Sequence, residues 1–165
     1  MPGRHWHRKG FLKNDLDLRM PIMNAAGSLG FVPTPHGSTD LAQLGAFITN
    51  PVSLAPRKPA ERRGMIPFSG GFLLHTGWPN PGLRSVLRLA ATRWADSNIP
   101  VIVHLLADTA DEVEQMIRRL ENINGVWGVE LGLPPEIDAS TAHRMLNAAL
   151  GELPIIACLP FEQAT

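Results

Sequence analysis

The chain has 165 residues, an apolar fraction of 44%, and 15 basic side chains balanced by 15 acidic ones. That size and composition fit one globular domain with its own core, and zero net charge excludes a global field drawing nucleic acid or an anionic membrane. No apolar run approaches the roughly 18–20 residues of a membrane span, none follows the charged N-terminus to make a signal peptide, and the single cysteine, Cys158, excludes an internal disulfide framework and suits a cytoplasmic protein.

In chain order, residues 1–14 are polar, basic and aperiodic and read as a flexible N-terminal arm, leaving 15–165 as the folded domain. His5, Trp6 and His7 lie between Arg4 and Arg8 and read as solvated arm rather than as a metal or anion site. Pro21 to Ala26 is a short apolar run ending at glycine, a first buried strand. Ser38 to Gly45 predicts a short helix capped by Ser38 or Thr39 and stopped by Gly45, and Ala46 to Thr49 a second strand. Residues 51–82 are rich in Pro and Gly and too long for a plain connection, which marks a functional loop. Within it, Phe68 to Leu74 predicts a β-ribbon around Gly70-Gly71.

Regular alternation follows. Leu83 to Asp96 reads as a helix with Val86, Leu87, Leu89, Ala90 and Trp94 on its apolar face. Pro100 to Leu106 is a β-branched strand, and Thr109 with Glu112 makes a capping box ahead of a stripe of Val113, Met116, Ile117 and Leu120. Gly128 to Leu133 is a strand, Ala139 to Leu150 a helix and Pro154 to Leu159 a last strand. Continuous apolar strands alternating with amphipathic helices mean α/β architecture with a parallel sheet covered on its faces. The run Ile155 to Leu159 has the composition of a central, fully buried strand, yet only Pro160 to Thr165 follow it. Four or five β units cannot close an eight-stranded barrel. The sheet is therefore completed by a second polypeptide, pairs with a copy of itself, or stays open with its edge protected, the first two being preferred, unless the chain is a fragment of a longer protein.

Three segments carry a family resemblance: Pro21 to Gly30, Gly45 to Pro59, and Gly77-Trp78-Pro79-Asn80-Pro81-Gly82. In order and spacing they resemble the N-terminal half of the class 1 dihydroorotate dehydrogenases, FMN-binding (β/α)8 barrels. The resemblance implies an incomplete, half TIM-type barrel of about five parallel strands with an inserted β-ribbon. It further implies a flavin-facing turn at Ala25, Ala26 and Gly27, flavin contacts from Thr49 and Asn50, and a substrate segment including Thr76, Gly77, Trp78 and Asn80. Small residues at that turn let a ring edge approach the main chain.

Several positions depart from the family's pattern. Asn50 and Cys158 stand where it has flavin-binding lysines, and Leu74 and Gly132 where it has asparagines. Pro135 falls where the catalytic-loop base is usual, and proline cannot act as a base. No catalytic residue is therefore assigned. His75 and His104 fall near the carboxyl ends of strands and with Cys158 could make a metal or acid–base cluster. No short-spaced pair supports a metal, so none is assigned. Cys158 reads as an inert core thiol, and Trp94 and Trp127 as packing residues. The expectation is a divergent family member acting as a non-catalytic structural or assembly subunit. The alternative is an FMN-dependent oxidoreductase acting on a CH–CH bond, its site completed by another chain.

Overall fold

The β-branched runs of the second half pair in parallel, and the helices between them fold back onto one side of the sheet. The computed structural model describes residues 16–34, 40–61 and 64–159; the N-terminal arm, Ser38, Thr39 and Pro160 to Thr165 lie outside them. In chain order the elements are β1 (Phe47–Ile48), β2 (Val52–Ser53), β3 (Gly64–Phe68), β4 (Gly71–His75), α1 (Leu83–Ala95), β5 (Val101–Leu106), α2 (Ala110–Leu120), β6 (Val126–Gly132), α3 (Ala139–Ala149) and β7 (Ile155–Cys158), with a 3-10 turn at Leu41–Gln43 before them. The five-stranded parallel sheet runs β1-β5-β6-β7, and β2 pairs with β5 beyond β1. Strands β3 and β4 form a separate antiparallel hairpin.

Side chains alternate across the sheet. Val101, Val103 and Leu105 of β5 and Val129 and Leu131 of β6 face the helices, meeting Val86, Ala90 and Trp94 of α1, Val113, Met116, Ile117 and Leu120 of α2, and Met145 and Ala149 of α3. Removing each large side chain from water stabilises the fold by about 1.5–3 kcal/mol. On the opposite, inner face a smaller cluster of Ala46, Ile48 and Ile102 packs with Leu16, Leu18, Met23, Ala26 and Ile156. Helices thus cover one face, and the N-terminal segment covers part of the other.

Helix α2 forms as its sequence dictates. Thr109 Oγ1 accepts the Glu112 N–H at 3.2 Å, acidic Asp111 and Glu112 open the helix, and Arg118 and Arg119 close it, complementing the dipole. The capping box is displaced by one residue, because the Glu112 carboxylate accepts from the Asp108 N–H at 2.9 Å.

The structure corrects four other expectations. Pro21 to Ala26 makes no strand, only a parallel bridge from Met23 to Ala46. Pro21 offers no N–H, and the Asn24 side chain takes over the pairing, accepting the Ile48 N–H at 2.8 Å and donating to the Ile48 carbonyl at 2.7 Å. The first helix is a single 3-10 turn capped by Asp40, which accepts the Ala42 N–H. Leu89 is 63% exposed, and Leu83 takes its place on the buried face of α1. Finally, β7 is an edge rather than a central strand: Ile155 and Ile156 are half-buried and Ala157 and Cys158 exposed, so Cys158 is not a core thiol.

Candidate functional site

The register steps from Ile48 opposite Ile102 to Val52 opposite Leu105, so one extra residue bulges from the edge between β1 and β2. Pro51 sits in this bulge and removes a donor there. Thr49, fully buried, fills the gap: its hydroxyl accepts the His104 N–H at 3.2 Å and donates to the Asn50 carbonyl at 2.9 Å. Asn50 turns to the preceding loop, where Oδ1 accepts the Gly30 N–H at 3.0 Å and its own N–H reaches the Gly30 carbonyl at 2.7 Å. The turn at Ala25, Ala26 and Gly27 is thereby held at both ends, by Asn24 on Ile48 and by Asn50 on Gly30.

The segment after β4 organises itself. Gly77 has φ +75°, and a β-carbon there would stand 2.6 Å from the Ala60 nitrogen, so glycine is required. Trp78 follows with φ +50°, and its N–H is accepted by Thr76 Oγ1 at 3.2 Å. Asn80 is buried: its Oδ1 accepts the N–H groups of Ser53 and Gly82 at 3.1 and 3.0 Å, and its amide donates to the Trp78 carbonyl at 3.1 Å. These bonds commit Asn80 to shaping the loop. Trp78 is 52% exposed, and its ring edge lies 3.5 Å from where a Gly27 β-carbon would be. The expected flavin turn and the expected substrate segment therefore meet at Gly27 and Trp78. Thr76 instead lines a groove of about 280 Å³ with Pro59, Leu74, His75 and Pro79.

Further along the inner face lies a pair that the sequence reading did not join. His104 Nδ1 and Glu130 Oε1 are 2.5 Å apart, in register on β5 and β6, with side chains 10% and 13% exposed. The imidazole lies over Gly132, where a β-carbon would come within 2.9 Å of Nε2 and 3.1 Å of Cε1. The only hint in the sequence was that His and Glu interrupt two apolar strands. His75 sits apart on the exposed hairpin, and no group of three His, Cys, Asp or Glu side chains suited to a metal occurs among the described residues. Near the strand ends, Arg57 forms a forked pair with Asp108 at 2.5 and 2.6 Å.

The sequence pattern of the dihydroorotate dehydrogenase family matches residues 13–149. The chain belongs to that family. It is 30% identical over 118 residues to the catalytic subunit of dihydroorotate dehydrogenase B (NAD(+)) from Desulforudis audaxviator, and 31% identical over 118 residues to that of Pelobacter propionicus. These stretches make up 72% of this chain but only 38% and 39% of the two relatives. The chain thus spans well under half the length of the dihydroorotate dehydrogenases it matches. Its open parallel sheet with helices on one face is a partial barrel.

Dihydroorotate dehydrogenases are FMN-dependent flavoproteins. The Ala25–Gly27 turn carries only small side chains, and the ring edge that lies against it in the structure is that of Trp78. Neither the Asn50 amide nor the Cys158 thiol, which the sequence resemblance sets against the family's flavin-binding lysines, is a cation, so these two side chains bring no positive charge to a reduced cofactor. An anionic ring in a dry site needs such a charge or an equivalent dipole.

Proposed function

We propose that this chain is a dihydroorotate dehydrogenase-like half-barrel acting as a structural or assembly subunit, which completes its sheet with a partner chain or a second copy of itself. The observation that carries this reading is the bare edge of β7, an apolar parallel strand with β6 on one side and no neighbouring strand among the described residues on the other. Unpaired strand edges recruit further strands. The hairpin adds apolar surface, with Met65, Ile66, Phe68, Phe72, Leu73 and Leu74 each more than half exposed. The missing cations at positions 50 and 158 argue against catalysis by the chain alone.

The test is light scattering on the size-fractionated chain, with its absorption spectrum recorded before and after addition of FMN. A colourless dimer or larger assembly is the expected result. A monodisperse monomer overturns the assembly reading.

A second reading rests on the meeting of Gly27 and Trp78. It is an FMN-dependent oxidoreductase acting on a CH–CH bond, with another chain supplying the remaining barrel. In that case the assembled protein is yellow and retains flavin through size fractionation, and a colourless assembly that takes up no FMN eliminates it.

A further inference from the structure

We propose that Cys158, His104 and Glu130 form a thiol–imidazole–carboxylate constellation across the inner face, which makes Cys158 a site of mixed-disulfide formation with small disulfides. The placement follows from register. Gly132 is opposite Leu106 on β5 and Cys158 on β7, and in-register residues of a sheet present their side chains to one face. The His104 imidazole lies over that same face of Gly132, so no side chain on β6 stands between the imidazole and Cys158. Neighbouring strands lie about 4.8 Å apart. The exposed thiol must close the remaining gap by a rotamer change or through one water molecule.

The imidazole is prepared for this role. His104 is 8% exposed, and in the neutral tautomer that donates Nδ1–H to the Glu130 carboxylate the Nε2 lone pair is the proton acceptor. Nε2 has no hydrogen-bond partner among the described residues, and no buried side-chain nitrogen or oxygen there lacks one, so Nε2 is open to an incoming group. Among the described elements around this face, the bulge carries Thr49 and Asn50, β7 carries Ile156, the N-terminal segment carries Asp17 and Arg19 beside Leu16 and Leu18, and Arg57 is paired with Asp108.

The step balances. The sulfur attacks one sulfur of the disulfide while its proton passes to His104 Nε2. A mixed disulfide forms on Cys158, and the other half of the reagent leaves as a thiolate that carries the electron pair of the broken S–S bond. Cys158 is oxidised and the reagent reduced, with no further reactant.

The probe is 5,5′-dithiobis(2-nitrobenzoate), whose released thiolate is read by absorbance; Cys158 is the only thiol in the chain. Its rate constant is measured against pH for the full chain and for His104→Gln and Glu130→Gln. We expect the rate near neutral pH to fall about tenfold in His104→Gln and by a smaller factor in Glu130→Gln. The pH profile of the wild type differs in shape from that of the His104 variant. Equal rates and superimposable profiles in wild type and His104→Gln overturn the proposal. If His104→Gln does not fold, the wild-type rate decides: a rate equal to that of an unstructured cysteine peptide at every pH overturns it.

Discussion

Gly132 and His104 share one volume. The backbone at Gly132 does not require glycine, since it is not among the positive-φ residues; the close imidazole does. An alanine there must displace a ring already held by Glu130, and such overpacking costs about 1–3 kcal/mol. Gly132→Ala is therefore expected to lower the urea midpoint, and the same change in a His104→Ala background to leave it nearly unchanged. A cycle of these variants measured by urea unfolding reads the coupling; additive effects would mean that the imidazole does not set the identity of residue 132. The asparagines carry a different lesson. Asn24, Asn50 and Asn80 sit in segments legible as a flavoprotein's loops, but their amides bind backbone groups 20 or more residues away. Residue type reveals a hydrogen-bonding capacity, whereas the partner depends on how distant segments meet.

Among the elements, α3 has a cap whose strength depends on pH. Asp138 accepts from the Ser140 hydroxyl at 2.5 Å and from the Thr141 hydroxyl and N–H at 2.6 and 3.0 Å. Those bonds, Ser140's first, hold its carboxyl well below the usual carboxylate range. A carboxylate favoured in the folded state contributes stability above its unfolded pKa and loses it as pH falls through the lower folded value. Wild type is thus expected to melt higher than Asp138→Ala at neutral pH, with the difference shrinking only in strong acid. Thermal melts of both proteins over that range check it, and a gap that closes in mildly acidic buffer would count against the cap. Elements with strong local signals were legible in the sequence: all four stripe residues of α2 are buried, and the hairpin turns at Ser69-Gly70, beside the expected glycine pair. Pro21 to Ala26 was not legible as a loop, because only tertiary structure shows a side-chain amide replacing a strand's backbone.

At the scale of the whole molecule, composition and context disagree at β7. Its sequence suits a strand buried on both sides, while among the described residues it is the edge, and that disagreement favours the proposed joint between chains. Parallel pairing makes the joint testable. The Pro154 and Cys158 carbonyls accept from Val129 of β6 and from Leu133 just beyond it, and successive residues of a strand direct their backbone groups alternately to the two sides. Ile155 and Ala157 therefore present their N–H and carbonyl groups outward, where an added strand would bind. Proline at 157 deletes an outward N–H and leaves the ladder to β6 intact, which is the position at which edge strands tolerate it. Ala157→Pro is expected to keep the urea midpoint within about 1 kcal/mol of wild type, while light scattering shows its assembly dissociating to monomers. A variant that stays assembled would exclude the β7 edge as the joint and shift the search to the apolar hairpin. There Ile66 and Leu73 lie directly opposite each other, both exposed, so replacing the pair with lysines removes apolar surface at no cost to the core.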